Sequence, residues 1–233
     1  MNKIINILKD KKFFIIRFLI VFIIFTYAVY FQLIPIKLLN IDINNISGEM
    51  SVLLSAFSSI ILVFILYFIY RKDLKREFKI FKKDIIGNLD IGFKYWFLGL
   101  VIMMVSNLII TYVFHANGAN NENAVQQLIE YFPAMMILTA GVLAPFNEEI
   151  VFRKTLYDIF DNKWLFAFFS FLLFGGAHVM GGTSLVDYLY IIPYGALGGA
   201  FALAYYETKT VFTSMSFHMI HNIILVLMSI FVL

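Results

Sequence analysis

Two adjacent glutamates, Glu148 and Glu149, lie in an apolar stretch long enough to cross a membrane. A carboxylate in hydrocarbon costs at least about 2.5 kcal/mol, so we expect this pair to have a function. Arg153 follows Glu149 by four residues, and on a helix these two side chains share a face. We therefore predict a structural Glu149–Arg153 ion pair. Glu148 points about 100° away on the helix and stays available for chemistry.

Further polar side chains are embedded in other apolar segments. His178 follows Phe174 by one helical turn, and His218 and Asn222 are spaced to share a helical face. His221 lies close to His218 around the same helix, and we interpret it as a packing or supporting residue. These positions, together with the glutamates and Arg153, are the candidate site.

A carboxylate, two imidazoles and an amide from separate helices fit the activation of water by a general base. Glu148 would take the proton, while His178 or His218 orients the water or protonates the leaving amine. Asn222 would donate hydrogen bonds to the developing oxyanion. Glu148, His178 and His218 could instead hold one divalent metal such as zinc, with an open position for water. The spacing leaves both alternatives open, since the local motif H-E-x-x-H is absent.

A competing interpretation of the glutamates is structural. They could lie at the solvated membrane boundary beside Arg153 and Lys154, with no role in chemistry. Cysteine chemistry of any kind is excluded, because the chain contains no cysteine.

The composition predicts the elements that must position these residues. The chain is 61% hydrophobic and only 14% charged, against about 25% charged in soluble domains. The predicted fold class is therefore all-α, a polytopic transmembrane helical bundle. Segments of about 20 apolar residues suffice to cross a bilayer. We predict about seven such spans, at 13–35, 49–70, 92–114, 133–156, 164–181, 185–206 and 211–233.

Charge predicts the orientation of these spans. Basic residues collect at one set of helix ends, and Lys37 is the only basic residue in the loops on the other side. This bias predicts that the N-terminus lies in the cytoplasm. The basic segment 71–84 is either an amphipathic helix on the inner leaflet or only a topology signal. We divide the chain into N-terminal membrane helices at 1–84 and a helical membrane core at 85–233.

Local features predict how the helices adapt to the site. Pro145 removes a backbone hydrogen bond and is expected to open the helix that carries the glutamates. The glycines near residues 175 and 195–200 predict close helix packing. His178 lies deeper in its span than Glu148, so its helix must start outside the hydrocarbon, tilt, or break at Gly175–Gly176.

The motifs E-E-x-x-x-R at Glu148–Arg153, F-x-x-x-H at Phe174–His178 and H-x-x-x-N at His218–Asn222 occur in this order, each in its own apolar segment. This arrangement resembles the CAAX-protease and bacteriocin-processing family (CPBP, Abi) of intramembrane proteases. The resemblance covers about residues 130–230. Members often have eight spans, one more than the seven predicted here.

The resemblance implies a role for each matched residue. Glu148 would be the catalytic glutamate, His178 and His218 the water-activating or metal-binding histidines, and Asn222 the oxyanion stabiliser. Arg153 matches the family's arginine. The implied function is an intramembrane endopeptidase for peptide maturation, immunity or regulation. The motifs imply no cofactor other than the divalent metal of the alternative mechanism.

The expected partners are membrane lipid and a hydrophobic or membrane-anchored peptide, and no nucleic acid. The abundance of Ile, Asn, Lys and Phe is typical of an AT-rich genome and suggests the cell membrane of a Gram-positive bacterium. We expect the cavity to open near the cytoplasmic side. Two other functions stay open. One is a non-enzymatic bacteriocin-immunity or scaffold protein on the same fold, and the other is a proton-coupled carrier.

Overall fold

A computed structural model describes residues 2–116 and 118–231, with side chains from residue 11 onward except that of residue 120. Within these residues every regular element is helical, which confirms the predicted all-α class. The first six helices are α1 Asn2–Thr26, α2 Leu33–Leu38, α3 Gly48–Lys83, α4 Ile85–Phe114, α5 Asn120–Tyr131 and α6 Pro133–Leu138. The remaining six are α7 Ala144–Glu149, α8 Thr155–Tyr157, α9 Lys163–Val179, α10 Leu185–Leu189, α11 Ile191–Thr208 and α12 Val211–Phe231.

Within the described residues, four short helical turns lie between these α-helices. Two are 3₁₀ turns, at Ala28–Gln32 and Ile43–Asn45, and two are π turns, at Thr139–Leu143 and Ile150–Lys154. The π turns flank α7, so the segment Pro133–Tyr157 is one locally widened helix. The predicted division of the chain at residue 84 falls between α3 and α4 and stays a prediction.

All of the predicted membrane segments coincide with helices. Within the described residues, five helices are long and apolar enough to cross a membrane. A sixth span results if the two helices that meet at 47° near residue 27 are one broken span. The remaining segment, α9, has 17 residues and is shorter than the about 20 that span a bilayer. The prediction of about seven spans is thus roughly confirmed, except that residues 232–233 lie outside the described residues.

The basic segment 71–83 is not a separate helix. It continues α3, whose 36 residues extend about 54 Å, well beyond a hydrocarbon core of about 30 Å. Of the two alternatives, the separate amphipathic helix is not observed, and the topology signal stays a prediction. The helix continues because this segment packs into the bundle. Glu77 is buried there and accepts hydrogen bonds from the Tyr205 hydroxyl at 3.0 Å and the Val211 N–H at 2.9 Å.

Charged helix ends meet on one side of the bundle, which we call the basic face. It comprises the end of α3 and the α8–α9 and α11–α12 junctions. Arg17 of α1 forms ion pairs with Asp158 and Asp73. The buried Lys154 ammonium donates to Asp158 at 2.9 Å and lies 3.4 Å from Glu77. These pairs connect α1 and α3 to the helix that carries the adjacent glutamates.

Small residues determine how closely α9 and α11 approach each other. A Cβ atom at Gly175 would lie 2.6 Å from the Ile191 carbonyl oxygen, and one at Gly195 would lie 2.8 Å from the Phe171 ring. Distances under 3.0 Å require a shift of the neighbouring atoms. The two backbones therefore touch, as the glycine pattern predicts.

Gly175→Ala should destabilise the protein, whereas Gly176→Ala should not. The first substitution places a methyl group against backbone atoms of α11, and overpacking of this kind costs about 1–3 kcal/mol. The second meets nothing within 4 Å. Thermal unfolding in detergent and the amount of protein in membranes measure the difference. Equal stability of the two variants would contradict the close packing of α9 and α11.

α9 is continuous from Lys163 to Val179, so the break considered at Gly175–Gly176 does not occur. The guanidinium of Arg153 nevertheless lies 4.2 Å from the Phe174 ring centroid. Arg153 is near the basic-face end of its helix, whereas Phe174 is well inside α9. The explanation that remains is a continuous α9 that is tilted or displaced along its axis.

Candidate functional site

The helix that carries the glutamates is widened just before Pro145. In a π turn each N–H bonds to the carbonyl five residues earlier, and the Ala144 N–H bonds in this way to Thr139. The next residue, Pro145, has no N–H to give to the Ala140 carbonyl. That carbonyl instead accepts a hydrogen bond of 2.9 Å from the side-chain amide of Asn222 on α12. The opening expected at Pro145 is therefore observed, and it fixes where α12 docks.

Asn222 thus has a structural contact that its spacing did not indicate. One N–H of its amide is used by the Ala140 carbonyl. The amide carries a second N–H, and the residue lines the cavity described below. Its role as an oxyanion stabiliser stays a prediction.

Glu149 is fully buried and has two partners through the same oxygen. Its Oε1 lies 3.1 Å from Nη1 of Arg153, which is the ion pair that the sequence predicts. The same oxygen accepts a hydrogen bond of 2.8 Å from Nδ1 of His218. This second contact joins residues of different helices, and nothing in the local spacing could have indicated it.

Arg153 lies behind Glu149, at the closed end of the site. Its guanidinium is fully buried and lies 4.2 Å from the Phe174 ring centroid and 5.5 Å from that of Phe201. A planar guanidinium between aromatic faces gains cation–π energy that lysine would reproduce poorly. Arg153 therefore holds Glu149 electrostatically and positions the two rings that enclose His218.

His218 is held in one orientation and one tautomer. Because a carboxylate only accepts, Nδ1 carries the hydrogen toward Glu149, so that in the neutral form of the ring Nε2 carries the lone pair. The ring stacks on Phe201 at 5.0 Å and meets the edge of Phe174 at 5.7 Å. Its Nε2 lies 3.5 Å from Oε2 of Glu148, too long for a strong direct hydrogen bond. A single water can contact both atoms.

His178 is oriented by its own helix. Its Nδ1 lies 2.8 Å from the Phe174 carbonyl oxygen, which can only accept, so Nδ1 carries the hydrogen. The imidazole also stacks on Tyr194 at 4.5 Å. His178 and His218 therefore both use Nδ1 for support and leave Nε2 as an acceptor.

The candidate residues surround one cavity of about 430 Å³, which we call the main cavity. Glu148, His178, His218 and Asn222 all line it, from α7, α9 and α12. The structure therefore brings together the residues that the sequence singled out, and their chemical roles stay predictions. His221 also lines the cavity, edge-on to Trp96 at 6.5 Å.

The main cavity extends away from the basic face. Its far end is lined by Asn121, Glu122 and Gln126 of α5 and by Tyr190, all on the opposite side of the bundle. The expected opening near the basic face is therefore not observed, and which face lies in the cytoplasm stays a prediction. The buried Glu149–Arg153 pair and the aromatic rings around it close that end.

The candidate metal ligands are not grouped as a metal site. In the part of the chain that the structure describes, no set of three or more His, Asp or Glu side chains could hold a metal ion. Glu148 and His218 adjoin, but Phe174 lies between the imidazoles, with ring centroids 4.4 Å from His178 and 5.7 Å from His218. As arranged here, these donors do not fit a three-ligand zinc site.

Apolar helices around a cavity lined by a carboxylate and imidazoles define a class of protein: a multi-pass membrane protein with titratable side chains around an internal cavity. Comparison with known protein families gives a more specific class. Residues 130–224 match the model described as Type II CAAX prenyl endopeptidase Rce1-like, so this part of the chain is similar to that family. The match confirms the resemblance expected from the three motifs.

Several curated proteins are similar to this chain. YdiL of Bacillus subtilis (strain 168), whose name describes it provisionally as a membrane peptidase, is 28% identical over 75% of this chain and 70% of its own length. The membrane-embedded CAAX protease MroQ of Staphylococcus aureus (strain USA300) is 27% identical over 64% of this chain and 60% of its own. The UPF0177 protein YvdC of Lactococcus lactis is 26% identical over 57% of this chain and 49% of its own. No solved structure gives a significant match.

Proposed function

We propose that this chain is an intramembrane endopeptidase that hydrolyses a hydrophobic or membrane-anchored peptide with water activated by Glu148 and the histidines. The observation that carries the proposal is the geometry at His218. Glu149 holds its Nδ1 at 2.8 Å, and the free Nε2 faces the Glu148 carboxylate at 3.5 Å inside the main cavity. An oriented imidazole beside an available carboxylate is the arrangement that general-base catalysis needs.

The reaction follows from these positions. A water held between Glu148 and Nε2 of His218 gives a proton to the Glu148 carboxylate, and its oxygen bonds to the carbonyl carbon of the peptide. The second N–H of Asn222 stabilises the resulting oxyanion. The carbon–nitrogen bond then breaks, and the proton held by Glu148 passes to the leaving amine. Nε2 of His178 accepts a hydrogen bond from the bound water or peptide.

Hydrolysis in oxygen-18 water tests this proposal. Purified protein in liposomes is incubated with a defined mixture of synthetic hydrophobic peptides, and the products are analysed by mass spectrometry. Peptide-bond hydrolysis places one oxygen-18 atom in each new C-terminal carboxylate. Absence of labelled products with all peptides would contradict the proposal.

Chelation separates this mechanism from the metal-assisted alternative. The proposed steps use only side chains of the described residues, so removal of divalent metals should leave cleavage unchanged. Loss of cleavage on chelation that zinc restores would replace the proposed mechanism by one that uses Glu148, His178 and His218 as ligands. Metal analysis of the purified protein accompanies the assay.

The charges of the main cavity indicate which peptides it accepts. Of the described residues that line it, Glu148 and Glu122 are acidic and none is lysine or arginine. A C-terminal carboxylate would find no basic partner there, whereas a lysine or arginine side chain can approach Glu122. We infer that the substrate is an apolar peptide segment with a basic residue on one side of the cleaved bond.

Glu122→Lys should raise KM for a peptide with a basic residue by about three- to tenfold, because an attraction becomes a repulsion at an exposed site. It should leave kcat unchanged, since Glu122 lies on α5 at the far end of the cavity. Glu130→Lys is the matched control, on the same helix but outside the cavity lining. Equal effects of the two substitutions would contradict a contact between Glu122 and substrate.

We further propose that the protein resides in the cell membrane of a Gram-positive bacterium with the basic face in the cytoplasm. The curated relatives named above come from Gram-positive bacteria, and the positive-inside rule supports the orientation. The main cavity would then face the outer side.

A further inference from the structure

Glu148 also borders a second cavity, of about 220 Å³, on the side of α1 and α3. We call it the serine cavity, because Ser55, Ser58 and Ser59 of α3 line it. Glu148 and Ala144 belong to the linings of both the main and the serine cavity. The other residues that line it are Phe25, Ala28, Val29, Gln32, Leu62 and Asn147.

The sequence explains why this space exists. Ser55, Ser58 and Ser59 are spaced i, i+3 and i+4, so they share one face of α3. Opposite them the first span bends by 47° near residue 27 and continues as the 3₁₀ turn Ala28–Gln32. This 3₁₀ turn packs against α3, and its residues Ala28, Val29 and Gln32 line the space between the serine face and α7.

The serine cavity contains polar atoms without partners. Ser58 is 7% exposed and Asn147 is 3% exposed. Among the described residues, neither the Ser58 hydroxyl nor Oδ1 of Asn147 has a hydrogen-bond partner. Buried polar atoms in a cavity with enough room are satisfied by water, and this volume far exceeds the about 10–15 Å³ that a single water needs.

We propose that the serine cavity is a hydrated site that supplies the attacking water to Glu148 while a peptide occupies the main cavity. The supply role rests on the proposed function. Each hydrolysis consumes one water, and an apolar peptide in the main cavity displaces water from that side of Glu148. The serine cavity reaches the same carboxylate from the other side, without passing the peptide.

Hydration is tested by thiol labelling, since the chain has no cysteine of its own. Ser58→Cys in the full-length protein is treated with 2-aminoethyl methanethiosulfonate, which reacts with the thiolate that forms in water. Ser170→Cys is the control, because Ser170 is fully buried and its hydroxyl bonds to the Gly198 carbonyl at 3.0 Å. We expect labelling at position 58 to be at least about tenfold faster than at position 170. Equal rates would overturn the proposal.

The supply role is tested by Ser58→Val, which replaces the hydroxyl by two methyl groups and narrows the cavity. We expect kcat to fall by about fivefold with KM unchanged, because water loses a binding group that the peptide does not contact. Ser106→Val is the control, since among the described residues that hydroxyl bonds to the carbonyls of Ile102 and Met103 of its own helix, and it lines neither cavity.

Wild-type kcat in Ser58→Val would overturn the supply role. If that variant does not fold, Ser58→Ala removes the same hydroxyl with less volume change and must lower kcat in the same direction. If the unaltered protein cleaves no peptide, the proposed function fails and the supply role fails with it. The labelling experiment still decides whether the serine cavity is hydrated.

Discussion

Glu148→Gln is expected to lower kcat by about 10²–10⁴-fold with little change in KM, because glutamine keeps the shape of the side chain but cannot take a proton from water. The Glu148 side chain is 16% exposed and lies 3.5 Å from Nε2 of His218. The charge it loses therefore borders a cavity and is not part of a buried ion pair. The protein should fold normally and still bind peptide.

The measurement is peptide hydrolysis by purified variants at equal protein amounts, with thermal unfolding in parallel. Glu122→Gln is the matched control, because it makes the same chemical change in the same cavity but away from His218. Glu149→Gln is unsuitable as a control, since that carboxylate holds both His218 and Arg153. Wild-type cleavage by a folded Glu148→Gln variant would show that the proposed role is wrong.

The same variant separates the enzyme from a binding-only protein. A non-enzymatic immunity or scaffold protein on this fold would keep its biological effect when Glu148 is replaced, because its surface is unchanged. A proton-coupled carrier would instead show pH-dependent uptake in liposomes. The intramembrane endopeptidase predicts loss of cleavage with normal protein levels.

Arg153→Met is expected to destabilise the protein by about 3–5 kcal/mol, because it leaves the buried Glu149 carboxylate without its cation. Both side chains are fully buried and their charged atoms lie 3.1 Å apart. The guanidinium also packs on Phe174 and Phe201, so its stacking energy is lost as well. The midpoint of thermal unfolding in detergent and the amount of protein in membranes should both fall.

Arg76→Met is the control for this prediction. The Arg76 side chain is 64% exposed, pairs with Asp73 at 2.8 Å and lies 3.8 Å from Glu77. An exposed pair is worth less than about 1 kcal/mol, so the unfolding midpoint should hardly change. If Arg153→Met is as stable as Arg76→Met, the Glu149–Arg153 pair does not stabilise the fold. The burial of Arg153 between Phe174 and Phe201 would then need another explanation.

The helical class, the approximate number of spans and the polar candidates follow from the amino-acid sequence alone. Apolar length predicts a membrane helix because hydrocarbon offers no hydrogen bonds to the backbone. Spacing within one helix predicts the Glu149–Arg153 pair because residues four apart share a face. Pro145 predicts an opened turn because proline lacks an N–H. Each of these inferences uses only neighbours along the chain.

The tertiary structure alone decided the contacts between helices. The bond from His218 to Glu149 and the bond from Asn222 to Ala140 join α12 to the glutamate helix across long sequence separations. The direction of the main cavity, the serine cavity and the burial of Glu77 in the continued α3 depend on the same packing. Helical periodicity assigns a side chain to a face, but only the packed bundle determines which helix that face meets.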